Sequence, residues 1–355
     1  MESSLNCGGH AFATDGILLG PILEEFKTKK TEIANELFAL YTKALQEKQI
    51  DIPTQIPAIK YTVQGGIGTA TEDAFLRNYY QMDGTGWGSP FLLVPEATIV
   101  DDATLYKLCT ATSEDIILSK NSPLGVRFNY LKGNSGEAEK HERIENKLPG
   151  SFCTERFLQN NTEFTEQPIC TASTKYQKLK LEQLANAGLS AEEFEQQKKL
   201  VLSKECLCLG LSNAATHCGI TQPIAKAATG VTICPGPNIA YFNKVVSLQT
   251  MVDHIYGRTN IIEDNKRPNM FVKEIELYAN YYEELVNDSL TKDDAKQQKQ
   301  LAVFYKNLLQ GINYYRELIA NNHFFEQQTF TAQLNQLENR ITQIAALVQQ
   351  PIAVV

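Results

Sequence analysis

The sequence predicts a mixed α/β chain, with strands early and helices dominating late. Three observations predict it. Two glycine-rich turns follow apolar strand candidates before residue 100. Six of the eight cysteines gather in an irregular middle. Amphipathic stripes fill the last hundred residues. The 355 residues fall accordingly into three consecutive regions, 1–118, 119–240 and 241–355.

The elements follow in order. Leu5-Asn6-Cys7-Gly8-Gly9-His10 reads as a strand end and its loop. Residues 17–49 read as helical, with Ile33, Leu37, Leu40, Ala44 and Leu45 on one face. Pro53 and Pro57 break that pattern, and Ile59 to Val63 is a short apolar strand. It runs into Gly65-Gly66-Ile67-Gly68-Thr69, and residues 72–82 form a helix. A second turn, Gly84-Thr85-Gly86-Trp87-Gly88-Ser89, leads into a strand over 87–94, which Pro90 restricts to an edge or bulge. Asp101 or Asp102 caps a helix through Leu108. Residues 119–180 read as irregular, 181–204 as helical, and 205–240 as rich in cysteine and glycine. Three stripes close the chain: Phe271, Ile275, Tyr278, Tyr282, Leu285; then Leu301 through Ile319; then Leu334, Leu337, Ile341, Ile344, Val348. They predict a small antiparallel bundle whose apolar faces pack inward.

Composition narrows the function. Apolar residues make up 43%, enough for a sizeable core. The net charge of −8, from 33 basic and 41 acidic residues, argues against a nucleic-acid surface. No apolar run approaches a membrane span, and the N-terminus lacks a signal pattern, so a soluble cytoplasmic protein is expected. Cysteines in such a chain read as thiols or metal ligands rather than disulfides.

Several residue patterns bear on chemistry. Glycines after a strand let the backbone approach an anion, and N–H groups at the next helix start can hold it. Two such turns in succession suggest one phosphate gripped from two sides, as by the loops after the seventh and eighth strands of (β/α)8 barrels. His10 follows two glycines at a strand end, and its near-neutral pKa suits proton abstraction; a structural histidine is the plainer alternative. Cys153, Cys170, Cys206, Cys208, Cys218 and Cys234 form a candidate metal or iron–sulfur set, although no Cys-x2-Cys pair is present. Buried reduced thiols are the competing reading. His254 and His323 read as structural, His141 lies in a charged run, and no Walker, Ser-His-Asp or HExxH pattern occurs.

Gly8-Gly9-His10, Leu18-Leu19-Gly20-Pro21, Val63-Gln64-Gly65-Gly66-Ile67, Gly88-Ser89-Pro90-Phe91-Leu92 and Glu96-Ala97 together resemble the C-terminal half of the nitronate monooxygenase (2-nitropropane dioxygenase-like) family. Order and spacing match over residues 5 to 110. Gly65-Gly66-Ile67-Gly68-Thr69 with Glu114-Asp115-Ile116 looks most like the enoyl-reductase branch that serves polyunsaturated fatty acid synthases. Asn6-Cys7 and Trp87 depart from the family pattern. The resemblance implies FMN bound in a TIM (β/α)8 barrel, of which this chain carries the last three βα units. It places Gly65, Gly66, Gly88 and Ser89 on the FMN phosphate through main-chain N–H groups. It places His10 beside the flavin as acid or base, with Gly8 and Gly9 allowing close approach to the ring.

The expected protein is therefore an FMN-dependent oxidoreductase acting on a small-molecule or acyl-thioester substrate, with no nucleic-acid or membrane partner. Three parallel strands cannot cover their own sheet. The chain is thus expected to be the C-terminal part of a longer enzyme, or to be completed by a partner chain, with an exposed edge beside residues 3–8. The alternative is a non-catalytic metal- or cluster-binding scaffold whose helical tail docks a partner.

Overall fold

The structure is a computed structural model that describes residues 1–12, 14–223, 228–262, 267–290, 294–321, 323 and 327–349. In chain order its elements are β1 (His10–Ala11), α1 (Leu19–Thr28), α2 (Lys30–Glu47), β2 (Thr62–Gln64), α3 (Ala70–Asn78) and β3 (Gly84–Gly86). Next come α4 (Asp102–Thr110), β4 (Ile116–Ser119), β5 (Arg127–Leu131), α5 (Ser135–Glu145), α6 (Thr174–Ala185) and α7 (Ala191–Ser203). The rest are helical: α8 (Leu207–Gly210), α9 (Asn213–His217), α10 (Leu248–Ile255), α11 (Met270–Leu290), α12 (Ala295–Ala320) and α13 (Gln327–Gln349). No helix among the described residues is long and apolar enough to cross a membrane.

The chain divides into two compact units that cut across the three consecutive regions expected. The first comprises Met1–Asn6, Thr14–Trp87 and Lys266–Val355; the second comprises Cys7–Ala13 and Gly88–Asn265.

The first unit holds a βαβ arrangement. β2 and β3 are parallel, with Thr62 opposite Gly84 and Gln64 opposite Gly86, and α3 makes the crossover between them. Glu2 bridges Gln64 in parallel on the other side, where Ser3 N donates to Gln64 O at 3.1 Å. Three parallel segments therefore lie in the order 1–3, β2, β3. The first parallel segment lies earlier than the strand expected near Leu5. The strand expected over 87–94 is instead a 3₁₀ turn over Ser89–Leu93, and its pairing falls on Gly84–Gly86. Pro90 lacks the N–H that a ladder needs and fits the turn's first positions.

The expected exposed edge beside residues 3–8 is corrected over residues 3–6. Ser3, Leu5 and Asn6 are buried, because Ser3 Oγ donates to Glu274 of α11 at 2.7 Å and Asn6 Nδ2 donates to Met270 O at 3.2 Å. α11 packs on α12 and α13, and the predicted stripes face inward: Phe271, Ile275, Tyr278 and Tyr282 on α11, Leu308, Ile312 and Tyr315 on α12, Leu334 and Ile341 on α13. Each such side chain contributes about 1.5–3 kcal/mol by leaving water. Gly20 and Gly311 admit Tyr315 and Leu18 where α1 meets α12; a Cβ at either would collide. α2 departs from expectation, for it buries no residue and leaves Leu37 and Leu40 of the predicted stripe exposed.

The second unit is built on the antiparallel sheet β1-β5-β4, with His10 opposite Phe128 and Ile116 opposite Leu131. Region 119–180 is thus more ordered than its turn residues suggest. β5 buries Phe128, Tyr130 and Leu131, and Asn134 caps α5 by accepting from Glu137 N. Asp101 caps α4 as expected, by accepting from Thr104 N. Ser190 and Glu193 form a reciprocal capping box on α7.

Candidate functional site

In the first unit, β2 ends in two successive glycines with φ of 110° and 76°, at Gly65 and Gly66. A side chain at Gly66 would be strained by its φ and would strike the Asn6 amide. The helix start beyond them is already filled. Glu72, 2% exposed, turns its carboxylate back onto the amides of Gly68 (2.8 Å) and Thr69 (3.2 Å). The same carboxylate accepts from Met270 N at 2.7 Å and pairs with the buried Arg267 at 2.8 Å. Arg267 Nη2 also donates to Gly66 O at 2.6 Å. The chain thus supplies its own anion to the start of α3. The expectation that these helix amides hold a phosphate is corrected, and main-chain contacts there narrow to Gly65 and Gly66. The spacing Thr69-x-x-Glu72 was the readable signal, being a capping box before an apolar run. Nothing local identifies Arg267.

In the second unit, Gly8, Gly9, His10, Gly88 and Ser89 share one neighbourhood, organised by the loop Cys234-Pro235-Gly236. Gly9 N donates to Cys234 O at 3.0 Å. A Cβ on Gly8 would lie 2.6 Å from that same carbonyl oxygen, so glycine is required by close approach. Ser89 Oγ accepts from Gly236 N at 2.7 Å. Gly88 has an ordinary φ of −89°, and a Cβ there would meet nothing within 4 Å. Neither conformation nor packing within the described residues calls for glycine at this exposed position.

His10 sits on β1 with its ring 4.8 Å from the Phe128 ring. Its Nε2 lies 2.7 Å from Ser122 Oγ, a buried hydroxyl that accepts from Leu124 N. The Ser122 oxygen has a second lone pair beside the one that amide uses, so the donor in the His10–Ser122 bond is set by the ring tautomer. Partial burial lowers the His10 pKa below 6.5, so the ring is neutral at pH 7 and able to take a proton. Ser122 and Phe128 were not legible as its partners, since they come from 112 and 118 residues away by turn and strand register.

The cysteines separate. Cys153, Cys170, Cys206 and Cys208 line one small cavity of ≈ 10 Å³. Cys218 is exposed at the end of α9, and Cys234 packs against Phe128, Tyr130 and Leu207 beside the His10 strand. Of the six, four are brought together at this cavity, while helix ends and loops hold Cys218 and Cys234 apart from them. Burial pushes the Cys170 thiol up to about 12 and raises those of Cys206 and Cys208. All eight cysteines are free thiols. Among the described residues, no group of three or more His, Cys, Asp or Glu is arranged to hold a metal ion.

A network of four residues outside every expectation lies nearby. Glu205, buried, accepts from Tyr130 Oη at 3.0 Å and from Lys140 at 3.2 Å, and Thr232 donates to it as well. This network locks β5 to the segment that carries Cys206 and Cys208. No protein-family model matches the chain, and no curated protein matches it.

Proposed function

We propose that this chain belongs to an FMN-dependent oxidoreductase of the nitronate monooxygenase-like kind. The observation that carries the reading is the parallel pair β2–β3 joined through α3. Both strands end on the same side, and each runs directly into a glycine-rich turn. That is how (β/α)8 barrels hold a phosphate. The parallel bridge of Glu2 to Gln64 adds a third segment in the order such a barrel needs.

The residues fit the group. Gly88 leaves open the space a Cβ would fill. In the first unit, the main chain of Gly65 and Gly66 would meet the phosphate; in the second unit, Gly88 and Ser89 offer main chain of the same kind, and Gly9 leaves the ground beside His10 free of a side chain. The flavin, when bound, supplies the redox chemistry, while the protein supplies position and electrostatics. His10 takes or returns a proton at its ring nitrogen. Its lowered pKa keeps it in the basic form near neutrality. Ser122 orients the ring, and Phe128 walls it on one side. The substrate is a nitronate or an enoyl thioester, and free thiols throughout suit a cytoplasmic setting.

The test is direct. The purified chain is saturated with FMN and dialysed, and the flavin is then released by heat and quantified by fluorescence. About one FMN per chain is expected for a site of this kind. A chain that retains no FMN from a saturating solution overturns the proposal.

A further inference from the structure

Helix α2 of the first unit carries an apolar stripe that the described chain leaves open. The helix runs 18 residues, about 27 Å at 1.5 Å per residue, and buries none of them. Ile33, Leu37, Leu40 and Ala44 are spaced four, three and four apart, which puts them on one face. Leu37 is 48% exposed and Leu40 67%, with Tyr41 exposed beside them. The adjacent face, formed by Ala34, Phe38, Thr42 and Leu45, is half-buried. The helix is therefore seated along one side and bare along the next. Ile50, Ile52, Ile56 and Ile59, in the segment that follows, are exposed as well. Apolar surface gathered in this way gains by leaving water, and a contiguous patch of it marks a contact face.

The charges indicate what covers it. The four-three-four spacing defines a heptad with Leu37 at position a and Leu40 at position d. Glu36 and Lys43 then fall at successive g positions, on one flank of the stripe. Lys29 and Lys30, at the foot of the helix, already pair with Glu25 and Asp83.

Two copies of α2 laid antiparallel, about a twofold axis between residues 38 and 39, set a against d. Leu37 meets Leu40 of the second copy, and Ile33 meets the small Ala44 of the second copy. Position g faces g in this arrangement, so Glu36 meets Lys43 of the second copy, and symmetry makes the pair twice. Glu47 of each copy is turned toward the basic foot of the other. Parallel copies would instead face g with e and set Lys43 against Lys48, a pair of like charges.

We propose that α2 is the contact face of a symmetric homodimer, with the helices of two copies paired antiparallel through Ile33, Leu37, Leu40 and Ala44. A twofold interface must be its own complement in shape and in sign. This stripe is: the apolar residues of its first half meet those of its second, and the acidic g position meets the basic one. The four exposed isoleucines extend the patch beyond the helix, toward the roughly 1,200–2,000 Å² that a stable interface buries. The proposal uses no residue of the flavin reading and stands apart from it.

The test is sedimentation velocity of the full chain from about 1 to about 100 μM, where twice the chain mass is expected. Leu40→Glu places a charge at the centre of the stripe. At 67% exposure in the single chain it should leave the far-UV circular dichroism unchanged, and it should raise the dissociation constant at least about tenfold. Glu36→Lys and Lys43→Glu should each weaken association about threefold or more at low salt, and the double variant should restore it. A parallel pair would respond in the opposite sense, with Lys43→Glu strengthening association by relieving the contact with Lys48. A monomer throughout the range, a dimer indifferent to Leu40→Glu, or charge variants that leave association unchanged or strengthen it overturn the proposal. If Leu40→Glu misfolds, the wild-type mass and the charge swap decide.

Discussion

The buried carboxyl of Glu274 sets a stability switch near neutral pH. It lies wholly inside the first unit on α11, where it accepts from Ser3 Oγ at 2.7 Å and from Leu19 N at 3.1 Å, with Tyr315 as a further donor. Burial outweighs these bonds and raises its pKa from 4.5 to about 7. A carboxyl that binds its proton more tightly when folded stabilises the fold fully below about pH 4.5. That contribution is lost as pH rises through about 7, because the unfolded chain ionises first. The shift corresponds to about 3 kcal/mol, at 1.36 kcal/mol for each tenfold change in proton affinity. Urea unfolding between pH 5 and 8 should therefore show the wild type losing stability relative to Glu274→Gln by about 3 kcal/mol. Taking the difference between the two proteins cancels every other titrating group, His10 included. His10 works in the opposite sense: its lowered pKa makes stability fall as pH drops below 6.5. Parallel pH profiles for wild type and Glu274→Gln would refute the reasoning. They would mean that the hydrogen bonds, not desolvation, govern this carboxyl.

Other perturbations read out other parts of the molecule. His10→Asn should keep flavin and lower turnover about 10²-fold, and the wild-type rate should fall on an acid limb below pH 6.5; unchanged turnover removes His10 from the mechanism. Gly88→Val should leave urea stability within about 0.5 kcal/mol, since its Cβ meets nothing, while weakening FMN at least about tenfold by equilibrium dialysis. Gly66→Val should instead destabilise the fold by more than about 1 kcal/mol with or without flavin, because φ and Asn6 both oppose it. Arg267→Ala should cost about 3–5 kcal/mol in chemical denaturation, for it strands the buried Glu72 carboxylate. A loss under about 1 kcal/mol would show that the three amides alone satisfy Glu72.

What the sequence discloses here is local, and what it hides is pairing at a distance. The C-terminal stripes were legible because a helix of 20 or more residues repeats its apolar face several times. The Asp101 cap and the glycine turn after β2 were legible because two or three adjacent residues define them. The stripe on α2 misled, since amphipathicity shows that a face could be buried without showing that anything covers it. β4 and β5 were missed because four- and five-residue strands among prolines and glycines give no periodicity to count. Arg267 and Glu72 stand 195 residues apart, and His10 and Ser122 stand 112 apart. Neither pairing leaves a spacing to find.

The cysteines show the same limit from the other side. A window of about eighty residues gathers six of them, yet three-dimensional proximity selects four. The selection follows from the fold. Ser151 pairs with Ser173 in a parallel bridge, which draws the loop of Cys153 beside the start of α6 and its neighbour Cys170. The amide of Glu205 donates to Asn121 O at 3.0 Å, which brings Cys206 and Cys208 to the same turn that carries Ser122 and Pro123. Cys234 instead accepts Gly9 through its carbonyl and turns toward the His10 strand. One cysteine-rich stretch thus serves two neighbouring places: its thiols line a cavity, and its Cys234-Pro235-Gly236 loop shapes the ground under Gly8, Gly9 and Ser89. One test follows from this division: Gly8→Ala should lower stability to urea by more than about 1 kcal/mol, because its Cβ would meet Cys234 O and Gly236 N, and a loss within about 0.5 kcal/mol would show that the Cys234-Pro235-Gly236 loop gives way without cost.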